Sequence, residues 1–143
     1  MAIALGAYAA FLAWILFWPS GDIATWVVAQ ATEALLDLGS SSRLVTGTRM
    51  EFALNAAMVA PLVVLAVLLW PRLSWERWTA YAFLSSCAVE LLQGLWLPMR
   101  SAQFADVVAN TIGAGVGAVF GHLLVRRNVV RHRVPAADDA NPD

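Results

Sequence analysis

Glu90-Leu-Leu-Gln93, then Arg100, then Asp106-Val-Val-Ala-Asn110-Thr-Ile-Gly113 is the stretch that decides how this chain folds. It sets two carboxylates, two amides and an arginine in or beside runs of residues that otherwise suit hydrocarbon. An ionisable side chain at membrane depth is costly, so it turns toward a protein interior or a wet cavity and takes a polar partner. The expectation is therefore a helical bundle that encloses this cluster.

The surrounding composition agrees. The 143 residues are 60% hydrophobic and 13% charged, with a mean hydropathy of +0.67, whereas soluble domains carry about 25% charged residues. The length is taken up by apolar spans, which leaves a single transmembrane domain over residues 1–133. Residues 134–143, rich in Ala, Pro and Asp, read as a disordered cytoplasmic tail. A net charge of −1 with no groove-sized basic cluster predicts no nucleic-acid partner. The single cysteine, Cys87, excludes an internal disulfide and any thiolate metal cluster, and it reads as a small packing residue. No zinc motif, phosphate-cradling loop or Ser–His–Asp arrangement is present, so neither a metal nor a cofactor is expected.

Four apolar runs stand out, at residues 2–18, 50–70, 79–97 and 104–125. A hydrocarbon core roughly 30 Å thick needs about 20 helical residues; the last three runs qualify and the first is short. The first run lacks a basic start and a small-residue cleavage site before Pro19, so it reads as a retained helix rather than a signal peptide. Trp and Tyr favour the lipid–water boundary. Trp18 and Trp96 mark one boundary, and Trp70, Trp75 and Trp78 the other. Arg72, Arg77, Arg126, Arg127, Arg131 and Arg133 fall on one side, against Arg43, Arg49 and Arg100 on the other. The positive-inside rule then places both termini in the cytoplasm.

Between the first two runs, residues 21–38 read as an amphipathic helix. Ile23, Trp26, Val27, Ala31, Ala34, Leu35 and Leu38 recur at helical spacing, with Asp22, Gln30, Glu33 and Asp37 on the other side. Asp22 suits the positive end of the helix dipole and Gly39 offers the stop. An acidic face is unlike that of surface-binding helices, so this helix is expected to cap the bundle. The fold class expected is all-α, a polytopic membrane helical bundle with four transmembrane helices plus a short extracytoplasmic amphipathic helix.

With that topology the polar residues collect toward the outer side. Glu51 and Asn55 belong to the second span, Glu90 and Gln93 to the third, Asp106 and Asn110 to the fourth. Each pair is spaced three or four apart and so shares one helical face. Arg49 and Arg100 are placed to form the mouth. On the fourth span the stripe continues as Gly113, Gly117 and Gly121, a seam suited to close helix approach within the bundle, or to a weak homodimer. Pro61 is expected to bend the second span and free backbone carbonyls. His122 falls near the cytoplasmic end of the fourth span and His132 in the basic tail, both away from the cluster.

Several chemistries suit this set. Eight polar residues, Arg49, Glu51, Asn55, Glu90, Gln93, Arg100, Asp106 and Asn110, converge as a ligand-binding pocket. Two guanidinium groups at its mouth suit phosphate or carboxylate, because arginine offers bidentate donors. That reading makes the chain a non-enzymatic protein that binds membrane lipids, an anionic lipid or lipid-linked envelope precursor taken from the outer leaflet. Glu90 and Asp106 are alternatively an acid–base pair for hydrolysis or group transfer, or oxygen ligands for a hard cation. A purely structural lock, in which the carboxylates pair with Arg49 and Arg100, is a further alternative. A small transporter has less support, since no paired broken helices or repeat are visible.

In the order of these residues the chain resembles the VanZ-like family of small bacterial membrane proteins. The resemblance is carried by Arg49 and Glu51, by Asn55 followed by Pro61, by Glu90-Leu-Leu-Gln93, by Arg100, and by Asp106 to Gly113 with Gly117. It covers residues 49–121, and Val63 stands where the family often has glycine. The first span and the acidic helix lie outside it. The resemblance implies a multi-span helical protein of the bacterial cytoplasmic membrane. The family is linked to low-level resistance to the glycopeptide antibiotic teicoplanin. It implies neither a reaction nor a transported substrate.

Overall fold

A residue preceding proline is pushed out of helical geometry, and helix α1 (Ala2–Leu16) closes before Trp18 and Pro19. The structure is a computed structural model that describes residues 1–18, 22–96 and 103–133, with side chains through residue 127. Arg100 and the tail at 134–143 lie outside the described residues. Within them the chain is all-helical: α1 is followed by α2 (Asp22–Asp37), α3 (Gly47–Leu69), α4 (Trp75–Trp96) and α5 (Phe104–Arg133).

Local chemistry accounts for the boundaries. Helix α2 carries Asp22 in its first turn. It stops at Gly39, whose φ of 87° only glycine adopts without strain. There the Gly39 and Ser40 N–H groups return to the Leu36 and Leu35 carbonyls at 2.9 and 3.1 Å, which satisfies two orphaned acceptors. Thr46 caps α3, its side chain accepting the Arg49 N–H. Pro61 sits inside α3, which nevertheless continues to Leu69. Helix α4 begins four residues before the apolar run expected at 79–97, because the Ser74 carbonyl takes the Trp78 N–H at 3.2 Å. Helix α5 runs past the expected end of its apolar run at 125, since no glycine or proline interrupts residues 126–133.

The glycine seam sets how the bundle is assembled. A methyl group built on Gly113 would collide with the Ala56 carbonyl, and one on Gly117 with the Ala60 carbonyl. One built on Gly121 would lie 2.9 Å from Val67 Cβ. Position numbers rise together along both helices, so α3 and α5 run parallel with their backbones in close approach, as small residues permit. The seam is thus filled within the chain by α3. Helix α4 returns antiparallel, Thr79 lying beside Gly115 and Glu90 beside Gln103. Val63, Val67, Ala114 and Ala118 form the buried core, with Trp78 and Ala82 of α4 against it. Helix α1 is tied to α3 by the Tyr8 hydroxyl, which donates to the Met58 carbonyl at 2.9 Å. That carbonyl lies one residue from Ala57, whose usual helical donor Pro61 lacks.

Two helices are long and apolar enough to cross a membrane, α3 and the Phe104–Arg127 part of α5. Only 17% of the most apolar window of α3 is buried inside the protein, so it is not the enclosed core helix of a soluble domain. Helix α1 has 15 residues, short of a span. Helix α4 has 22, but Glu76, Arg77, Ser85, Ser86, Glu90 and Gln93 dilute its apolar character. Large apolar side chains cover the outside of the bundle, among them Leu84, Leu91 and Leu95 of α4 and Val116, Phe120 and Leu123 of α5. So extensive an apolar exterior is foreign to a monomer in water.

Candidate functional site

Parallel α3 and α5 bring their N-terminal turns to the same end of the bundle, and antiparallel α4 brings its C-terminal turns there. The polar pairs on these three helices are thereby gathered at one end. A cavity of ≈ 260 Å³ lies among them. Glu51 and Asn55 enter from α3, Glu90 and Gln93 from α4, and Asp106 and Asn110 from α5. The apolar walls come from Ile15 and Leu16 of α1, from Ile23, Ala24, Val27 and Val28 of α2, and from Leu54 and Met58 of α3, with the Thr25 hydroxyl of α2 among them. Helix α2 therefore lends Ile23 and Val27 to the cavity wall, yet both stay exposed, as are Asp22, Gln30, Glu33 and Asp37, and no residue of α2 is buried.

Three hydrogen bonds hold the polar wall. Asn55 Nδ2 donates to Asp106 Oδ1 at 2.8 Å, joining α3 to α5 about two turns above Gly113 on the α5 stripe. Asp106 also stands in the first turn of its helix, where a negative charge meets the dipole favourably. The backbone N–H of Gln103 donates to Glu90 Oε2 at 2.8 Å, so the entry to α5 is fastened to α4. Gln93 is only 6% exposed, and its Nε2 donates to the Leu16 carbonyl at 2.7 Å. Leu16 ends α1, so Gln93 satisfies one of the carbonyls a helix terminus leaves without an intrahelical donor.

The other candidates are placed differently. Arg49 is exposed and its Nη1 donates to the Arg43 and Leu44 carbonyls at 2.8 and 3.3 Å. Its guanidinium thus braces the loop before α3 and does not line the cavity. Ser86 is buried, also away from the cavity lining. At the opposite end of the bundle, His122 Nε2 and Trp78 Nε1 are buried without a hydrogen-bond partner. Among the described residues, no three His, Cys, Asp or Glu side chains come together as a metal-binding group.

Gln103 is a cavity residue that the sequence analysis passed over. The signal was its place three residues before Asp106, at the cap of a helix whose first turn is acidic. A cap residue's backbone N–H is not taken up within the helix, and here it serves the carboxylate of a neighbouring helix.

The arrangement offers an acceptor-rich inner wall facing an apolar one, suited to an amphiphile. No curated protein and no solved structure matches the chain. A family model described as VanZ/LLP1 does, over residues 5–125. The match takes in α1 from Leu5 and the whole of α2, both of which lie outside the motif region read from sequence. By the span of that match, the chain belongs to the VanZ/LLP1 family.

Proposed function

We propose that this VanZ/LLP1 protein is a multi-pass protein of the bacterial cytoplasmic membrane that holds the head of an anionic lipid or lipid-linked envelope component in the cavity. The observation that carries this reading is the divided lining: every carboxylate and amide comes from α3, α4, and α5 with its cap Gln103, while α1 and α2 contribute aliphatic side chains and a single hydroxyl, that of Thr25. A lipid has the same division between headgroup and chain. Multiple crossings are supported by the parallel course of α3 and α5. If both cross a bilayer, the chain must return between them, and α4 is the long helix that does so. The arginine distribution puts the cavity end on the outer side. Phosphate at the mouth would meet the donors of Arg49 not given to the loop, and Arg100, outside the described residues, is the second arginine that the sequence offers for it.

Native mass spectrometry of protein purified from membranes is expected to show a retained phosphate- or carboxylate-bearing lipid. Arg100→Ala is expected to weaken that retention; the same lipid held equally well would remove Arg100 as its clamp. A protein that carries no lipid at all under gentle extraction would defeat the reading.

A hydrolase or group transferase has one observation in its favour, that Glu90 and Asp106 line the same cavity. Both accept hydrogen bonds from the protein, which suits fixed acceptors as well as acid–base work. In this reading Glu90→Gln keeps the fold and stops turnover of a membrane lipid. A lipid screen with no product in the wild type would sink it.

A further inference from the structure

The direction of the hydrogen atoms around the cavity narrows what can enter it. Asn55 gives an Nδ2 hydrogen to Asp106, Gln93 gives one from Nε2 to the Leu16 carbonyl, and Gln103 gives its backbone N–H to Glu90. Each of these donors is turned onto an acceptor of the protein itself, while the Thr25 hydroxyl and the Asn110 and Gln103 side-chain amides also line the cavity and can both donate and accept. Glu51, half-buried near the start of α3, lines the same space and makes no hydrogen bond or ion pair with a described residue. An ionised carboxylate can only accept, through about four lone-pair sites. A charge withdrawn from water without a partner is costly. The described lining holds three carboxylates and no lysine, arginine or histidine. Phosphate oxygens placed against the Glu51 carboxylate would be repelled, and more strongly than in bulk water because the effective dielectric is lower.

We infer that the group entering the cavity is a primary ammonium carried on the lipid's head, received by the Glu51 carboxylate while the phosphate stays at the mouth. This rests on the lipid-binding reading above and narrows its phosphate-bearing lipid from an anionic to a zwitterionic head, whose ammonium enters the cavity in place of the phosphate. A primary ammonium supplies three donors and a compact positive charge, which is what an unpartnered carboxylate beside amide oxygens accepts best. A neutral polyol would supply donors without the charge, and a trimethylammonium the charge without donors.

The test compares three lipids with identical acyl chains, phosphatidylethanolamine, phosphatidylcholine and phosphatidylglycerol, in competition for the purified protein, read by native mass spectrometry. Phosphatidylethanolamine is expected to be retained about tenfold over each of the others, the scale of one charge-assisted hydrogen bond. Glu51→Gln is expected to bring the three to parity with unchanged helicity. Equal retention by the wild type, or preference for phosphatidylglycerol, would overturn the ammonium while leaving lipid binding intact. Retention of none of the three would overturn lipid binding and the ammonium with it. A preference that survives in a folded Glu51→Gln protein would remove Glu51 as the receiving group. Should that variant fail to fold, the wild-type ranking of primary over trimethylated ammonium decides alone.

Discussion

Asn55 Nδ2 lies 2.8 Å from Asp106 Oδ1 and joins two parallel helices 51 residues apart in sequence. About two turns further along α5, its backbone rests on α3 through Gly113 and Ala56. The polar clasp and the glycine contact are therefore parts of one interface. Asn55→Ala removes the clasp and is expected to cost about 1–3 kcal/mol, the scale for withdrawing one partner from a part-buried hydrogen bond. Asn55→Asp should cost more at neutral pH, because it sets a second carboxylate against Asp106. Thermal unfolding in detergent measures both; an Asp variant as stable as wild type would dissolve the clasp.

The three helical glycines Gly113, Gly115 and Gly6 separate close approach from ordinary contact. Gly113→Ala drives a methyl group into the Ala56 carbonyl and should destabilise by about 1–3 kcal/mol, as overpacking does. Gly115→Ala meets Thr79 Oγ1 at 3.4 Å and should be far milder. Gly6→Ala meets nothing within 4 Å and should stabilise α1, by up to about 1 kcal/mol of helix propensity. The rank order of the three melting temperatures checks the parallel α3–α5 contact; Gly113→Ala ranking with Gly6→Ala would refute it.

Glu76, ahead of the apolar part of α4, has its carboxyl held below the usual range, first by a hydrogen bond from Ser74, then by its own backbone N–H and by the His122 charge. A carboxyl lowered in the folded state adds stability above its unfolded pKa, and that contribution is lost as pH falls through the folded value. Ser74→Ala removes the largest cause. The melting-temperature gap between wild type and Ser74→Ala is therefore expected at neutral pH and should close below the carboxylate range. A gap independent of pH would assign the effect of Ser74 to something other than Glu76.

The side on which the cavity opens is read by labelling. Ser41→Cys, in the loop between α2 and α3, should react with an impermeant thiol reagent in intact cells. Ser74→Cys, between α3 and α4, should react only after permeabilisation. Cys87 is half-buried on α4, which keeps the background low. Labelling at Ser74 in intact cells would turn the cavity toward the cytoplasm and exclude a ligand from the outer leaflet.

Sequence periodicity alone carried a good part of this. Asp106, Asn110, Gly113, Gly117 and Gly121 lie on one stripe because helical geometry leaves them no other arrangement, and a stripe that changes from carboxylate to glycine must face another part of the protein. The stop at Gly39 was equally legible, since a left-handed residue after an amphipathic run ends the helix. Side-chain direction and long-range neighbours were not legible. Arg49 is long enough to reach a pocket or a loop, and nearby unpaired carbonyls at Arg43 and Leu44 drew it to the loop. The same holds for Gln93, whose partner is the Leu16 carbonyl left open by the end of α1. That α3 and α5 lie side by side, with their polar turns at one end, depends on which backbone the glycine seam meets. A stripe of small residues states that something must approach closely, and only the folded chain decides what does, because the contact belongs to two helices and periodicity describes one.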